Sequence, residues 1–123
     1  MKIAITAKGK TLDDKIDPRF GRCPYFLIVD TDTMDIKAVE NSNAVLGGGA
    51  GIQSGKLMAD NDVKYVLTGN CGPNAFNTLD AAGIKVVTGC SGTARESVKQ
   101  FVDGDLTTSE GSNVERHSGQ ASA

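Results

Sequence analysis

The sequence predicts a single α/β domain, on three observations. Short β-branched and apolar runs alternate with segments of helical periodicity, in the order β-β-β-α-β-α-β-α. The 123 residues are enough for one core without cross-links. No apolar run approaches the length that crosses a bilayer, the longest being Phe26-Leu27-Ile28-Val29.

Lys2 to Ala7 reads as the first strand, bounded by Gly9. It lacks the long apolar region of a signal peptide, so a cytoplasmic protein is expected. A polar loop follows from Lys8 to Pro24, longer than most connections and of the kind that carries function. Tyr25–Asp30 and Met34–Glu40 flank a Thr-Asp-Thr turn and read as a hairpin. Asn41 to Gly51 holds too many glycines for a regular element. Ile52–Asp60 reads as a helix despite Gly55, and Val63–Thr68 as a strand.

The next helix has the plainest signals. Pro73 suits its first position, Ala75, Phe76, Leu79 and Ala82 recur on one face, and Gly83 fits the C-terminal cap. Ile84–Val87 is a short strand. Thr93-Ala94-Arg95-Glu96 is a capping box opening a helix with Val98, Phe101 and Val102 at core spacing, ended by Asp103-Gly104. The domain is expected over 1–106. Residues 107–123 are Ser, Gly, Asn, Gln and scattered charge, with the lone His117, and read as a disordered tail.

The net charge of -2 conceals an asymmetry. Up to residue 22 the chain carries Lys2, Lys8, Lys10, Lys15, Arg19 and Arg22 against Asp13, Asp14 and Asp17. So local a basic patch suits a compact anion better than a nucleic acid, which needs an extended basic face. Nothing points to a membrane. Three cysteines, Cys23, Cys71 and Cys90, are odd in number and widely spaced, which excludes a disulfide framework and a zinc ribbon. As buried thiols they would be small core residues; as thiolates they would be soft-metal ligands.

Four segments in order carry a resemblance: Arg19-Phe20-Gly21-Arg22-Cys23-Pro24-Tyr25-Phe26, Gly47-Gly48-Gly49-Ala50-Gly51, Thr68-Gly69-Asn70-Cys71-Gly72-Pro73-Asn74-Ala75-Phe76 and Leu79-Asp80-Ala81-Ala82-Gly83-Ile84. Over residues 1 to about 104 the chain resembles the dinitrogenase iron-molybdenum cofactor biosynthesis family, which includes nitrogenase cofactor carriers and molybdenum–copper orange proteins. The resemblance implies a ribonuclease-H-like three-layer α/β/α fold. Its five-stranded mixed sheet would have order 3-2-1-4-5 with strand 2 antiparallel.

Given that order, the loops Lys8–Pro24, Asn41–Gly51, Gly69–Gly72 and Thr88–Gly92 converge on one sheet edge, at a topological switch point. The implied ligand is an anionic molybdenum-containing metal–sulfur cluster, of the molybdenum–copper or iron–molybdenum type. It would lie among Lys8, Arg19, Gly21, Arg22, Gly47, Gly48, Gly49, Gly69, Asn70 and Gly72, with Cys71, Cys23 and Cys90 as metal ligands. Cys71 and Cys90 precede helices, where the N-terminal dipole is expected to lower a thiol's pKa. Many nitrogenase-associated relatives have His at the place of Arg19; a guanidinium cannot ligate a metal but can hold an anion.

The implied role is carrier rather than enzyme, with cluster-donor or acceptor proteins as partners. Three other classes compete. A nuclease on this sheet would need clustered carboxylates, and the first strand and Val63–Thr68 have none. A phosphate or nucleotide module would use Gly47–Gly51 before a helix, but Leu57 stands where a P-loop needs a hydroxyl. A metal-free interaction or regulatory domain would show no metal after anaerobic purification.

Overall fold

The computed structural model describes residues 1–42 and 50–106. Its elements are β1 (Lys2–Ala7), β2 (Tyr25–Asp30), β3 (Ile36–Glu40), α1 (Ala50–Asp60), β4 (Val63–Leu67), α2 (Pro73–Ala81), β5 (Lys85–Val87) and α3 (Ala94–Val102). The sheet order is β3-β2-β1-β4-β5. β2 runs antiparallel to β1 and β3, while β4 pairs parallel with β1 and β5 with β4. This is the expected five-stranded mixed sheet with three helices.

Alternation along the strands divides the core in two. Ala4, Phe26, Ile28, Val66 and Val86 face α1 and α2, packing with Met58, Ala75 and Leu79. Ile3, Ile5, Leu27, Val29, Leu67 and Val87 face α3, packing with Ala94 and Val98. The sheet is thus covered on both faces by helices, which lets its inner strands be apolar throughout.

The helix signals hold. Ile84 and Gly83 donate to the carbonyls of Leu79 and Asp80 at 2.9 and 3.0 Å, with Gly83 at φ 76°, a Schellman ending to α2. Both halves of the Thr93–Glu96 capping box are formed. On α2, Ala75 and Leu79 are buried, but Ala82 is exposed. On α3, Phe101 meets Tyr65 edge-on at 4.8 Å, whereas Val102 is exposed.

The irregular reading of Asn41–Gly51 fails at its end, because α1 begins at Ala50. The reason is packing. A Cβ on Gly51 would stand 2.9 Å from Ala75 Cβ, and one on Gly55 2.6 Å from Thr78 Cγ2. Spaced four apart, the two glycines share a helix face and let α1 close on α2, which offsets their poor helix propensity. Gly47, Gly48, Gly49 and the tail over 107–123, including His117, lie outside the described residues. Leu106 packs against the α3-side core. Among the described residues no helix is long and apolar enough to cross a membrane.

A candidate anion-binding edge

β1, β3, β4 and β5 end at one edge of the sheet and β2 begins there. The loop over 8–24 is woven onto this edge by backbone bonds. Asp17 N–H donates to the Thr6 carbonyl at 3.0 Å, Ile16 N–H to Gly92 at 2.9 Å and Asn70 N–H to Pro18 at 2.6 Å. Phe20 N–H donates to Asn70 at 3.2 Å, and Ala94 and Arg95 donate to Asp14 and Leu12 at 2.9 and 2.8 Å. Short bridges join Ala7 to Ile16, Lys15 to Thr93 and Arg19 to Asn70. A long polar loop therefore becomes a fixed part of the edge.

Its cations point outward. Lys8, Lys10, Lys15, Arg19 and Arg22 are all exposed. The acids of the same loop are occupied locally: Asp14 accepts from Thr11 N–H and Oγ1–H, and Asp13 pairs with Arg95 at 3.0 Å. Among the described residues, Lys8, Lys10, Lys15 and Arg22 take part in no salt bridge. Lys10 stands 5.7 Å from the centroid of the Tyr25 ring. Arg19 is tied to the buried Asp17, Nε–H to Oδ1 and Nη2–H to Oδ2, each at 3.1 Å.

The glycines serve different ends. Gly69 is buried, and a Cβ there would stand 2.7 Å from Pro18 Cα. Gly21 takes φ 91° and its carbonyl accepts from Asn41 Nδ2 at 3.1 Å. Gly72 is the extended residue before α2, with open space where a Cβ would be. Asn70 is exposed beside Arg19.

All three cysteines are buried at this edge, but not together. Cys23 and Cys71 belong to the core under α1 and α2, Cys90 to the core under α3. Among the described residues no group of three His, Cys, Asp or Glu side chains could hold a metal ion. The expected lowering of thiol pKa before α2 and α3 is reversed. Burial pushes Cys71 up to about 12. Burial, with a contribution from the Asp17 charge, takes Cys23 to about 12 as well, and burial raises Cys90. Removing a thiolate from water outweighs a helix dipole that reaches only its first turn.

A pH dependence follows. With folded values near 12 against an ordinary 9.0, the folded chain keeps protons that the unfolded chain releases. The stabilisation is complete below pH 9 and is lost as pH rises toward 12, by up to ~1.4 kcal/mol per pH unit for each thiol. Urea melts at pH 7.5 and 10 are expected to show a steeper alkaline loss in the native chain than in a Cys23→Ala/Cys71→Ala variant. Equal slopes would place the alkaline sensitivity elsewhere.

Several residues of the edge carry no obvious signal in the sequence. Thr6 Oγ1 donates to the Asp17 carbonyl at 2.6 Å and lies 2.9 Å from Thr68 Oγ1. With Thr6's only proton spent on Asp17, Thr68 is the donor between the two hydroxyls. Asn41 Nδ2 also donates to the Cys23 carbonyl at 2.8 Å, and Ser54 Oγ–H reaches Asn41 Oδ1 at 3.5 Å. Asp17 alone could have been found: Asp-Pro-Arg is a turn pattern in which the carboxylate takes the N–H two residues on, as Oδ1 does with Arg19 at 3.0 Å.

Known proteins share this architecture. The apo form of the orange protein from Desulfovibrio gigas is 43% identical, with TM-score 0.89 over 91% of this chain and 95% of that one. A Thermotoga protein of the DUF35 family, solved by NMR, is 36% identical, with TM-score 0.77 over 87% and 91% of the two chains. An uncharacterized protein of Methanocaldococcus jannaschii is 31% identical over 109 residues, 86% of this chain and 89% of that protein. The family described as dinitrogenase iron-molybdenum cofactor has a sequence model that matches residues 1–104. With that match spanning every element of the sheet and its basic edge, the chain belongs to the dinitrogenase iron-molybdenum cofactor family.

Proposed function

We propose that this protein binds and carries an anionic, molybdenum-containing metal–sulfur cluster, of the molybdenum–copper or iron–molybdenum type. The cluster would sit at the edge where β1 and β4 end, on a ribonuclease-H-like sheet. The observation that carries the reading is the set of exposed cations, Lys8, Arg19 and Arg22, fixed by the 8–24 loop at a topological switch point. Membership of the family described as dinitrogenase iron-molybdenum cofactor supports a molybdenum-containing metal cluster as the ligand, and the likeness to the apo form of the orange protein supports a binding rather than a purely structural role.

Charge and N–H donors make the first contact in this reading. Arg19 and Arg22 offer charge-assisted bonds, Asn70 is exposed beside Arg19, and Gly72, with open space where a Cβ would be, allows close backbone approach. Cys71, Cys23 and Cys90 would ligate only after losing a proton that burial holds in place. The role is that of a cytoplasmic carrier between cluster-donor and acceptor proteins, with no catalysis of its own.

Anaerobic titration with tetrathiomolybdate, with and without copper(I), tests this. Replacing Arg19 and Arg22 together by Gln is expected to weaken binding about 10- to 100-fold and flatten its salt dependence. Cys71→Ser is expected to keep most of the affinity. A native chain that takes up no thiomolybdate at any salt concentration would sink the proposal. Full binding by the arginine variant would return those side chains to the solvated surface.

A further inference from the structure

Asp17 is the one carboxylate buried among the described residues, and it sits in the middle of the basic edge. A negative charge there repels the ligand the edge would hold, so its presence needs a reason. Its contacts supply one. Oδ1 accepts from the Arg19 backbone N–H at 3.0 Å and from Nε–H at 3.1 Å, and Oδ2 from Nη2–H at 3.1 Å. Asp17 is itself fixed to β1, its N–H on the Thr6 carbonyl and its carbonyl under the Thr6 hydroxyl. On the other side, the bridge from Arg19 to Asn70 fixes the arginine's backbone against the loop after β4.

The fork occupies two of the guanidinium's five N–H donors and leaves three, on a side chain that is 63% exposed. An unrestrained arginine would lose its rotamer freedom on meeting a ligand. Here the two bonds to a buried carboxylate already restrain it. The guanidinium also stands as the exposed half of the pair, with the carboxylate behind it, so an arriving anion meets the cation first.

Building on the anion-binding reading above, we propose that Asp17 is the positioning residue of the site. It fixes Arg19 in one orientation, with three donors facing outward for a tetrahedral thiometallate. Its two effects on an anion have opposite signs, which makes the proposal decidable. As a mere charge, Asp17 weakens binding; as a clamp, it strengthens it.

The test measures the tetrathiomolybdate Kd anaerobically for the native chain, Asp17→Asn, Arg19→Gln and the double variant, with thermal melts alongside. Asp17→Asn is expected to weaken binding roughly five- to tenfold. In the Arg19→Gln background the same change is expected to weaken it no further. Tighter or unchanged binding by Asp17→Asn would overturn the proposal, since the carboxylate would then only repel or play no part. Equal weakening in both backgrounds would also overturn it, because Asp17 would then support the loop rather than Arg19. Should Asp17→Asn fail to fold, Arg19→Lys decides. It keeps the charge but loses the fork, so it is expected to bind within about twofold of Arg19→Gln. Native-strength binding by Arg19→Lys would show that charge alone suffices. A native chain that binds nothing overturns the site reading and this inference together. Native binding with unaffected variants overturns only the role of Asp17.

Discussion

Gly69→Ala is expected to lower stability by about 2–4 kcal/mol, more than any other single methyl added to the edge. The new Cβ would stand 2.7 Å from both Cα and Cβ of Pro18 and 3.1 Å from its carbonyl oxygen. Those are backbone and ring atoms with no rotamer to escape into. Parting the segments breaks the 2.6 Å bond from Asn70 N–H to the Pro18 carbonyl and strains the one from Phe20 N–H to Asn70. Gly69's own carbonyl also accepts from Gly89 N–H at 2.9 Å, so movement passes to the loop after β5. For a domain of this size the melting temperature should fall by roughly 10–25 °C. Thiomolybdate affinity should fall with it, because Arg19 lies on the displaced segment. A melt within 3 °C of the native chain would show that the loop yields freely and that the close approach is incidental.

Asn41→Leu ranks next, at about 2–4 kcal/mol. The side chain is buried and its amide satisfies the Gly21 and Cys23 carbonyls at once, while its oxygen accepts from the fully buried Ser54. Leucine fills similar space and leaves these groups without that partner. Ser54→Ala should cost far less, since the hydroxyl contact is long at 3.5 Å. The measurements are urea melts of both variants and the rate of Cys23 alkylation at pH 8. That rate should rise in Asn41→Leu as the loop end that covers the thiol loosens. A stability loss below 1 kcal/mol with unchanged alkylation would reduce Asn41 to ordinary packing.

The elements were legible because their signals are local. Pro73 and Gly83 bracket α2, and Thr93 with Glu96 opens α3; each acts within a turn or two of itself. The helical state of Ala50 and Gly51 was not legible, because it depends on Ala75 in another helix. Strand order was reached through the family resemblance and not through periodicity. The basic edge could be read once that order was known. The state of the thiols could not: a position before a helix suggests an activated cysteine, and only the surrounding core shows that burial wins at Cys71. In the sequence Asp17 is one acid among several in a polar loop, yet it is the one held inside, with a pKa that burial raises and the Arg19 bonds and charge bring below the ordinary carboxylate value.

The stitching of the 8–24 loop also sets an order in time. Asp13 and Arg95, 82 positions apart, form an ion pair, and the neighbouring Asp14 and Leu12 carbonyls are taken by Ala94 and Arg95. A chain emerging from synthesis carries its basic residues first, while the wall that seats them emerges last. Contacts of such long sequence separation close late, after the entropy of the intervening loop has been overcome. In a nascent chain that ends at β5, Asp17, Pro18 and Phe20 already have their partners on β1 and in the loop after β4, but Leu12, Asp13 and Asp14 lack theirs on α3. The arrival of α3 supplies the partners of Leu12, Asp13 and Asp14, so the basic edge is complete only once α3 has been made.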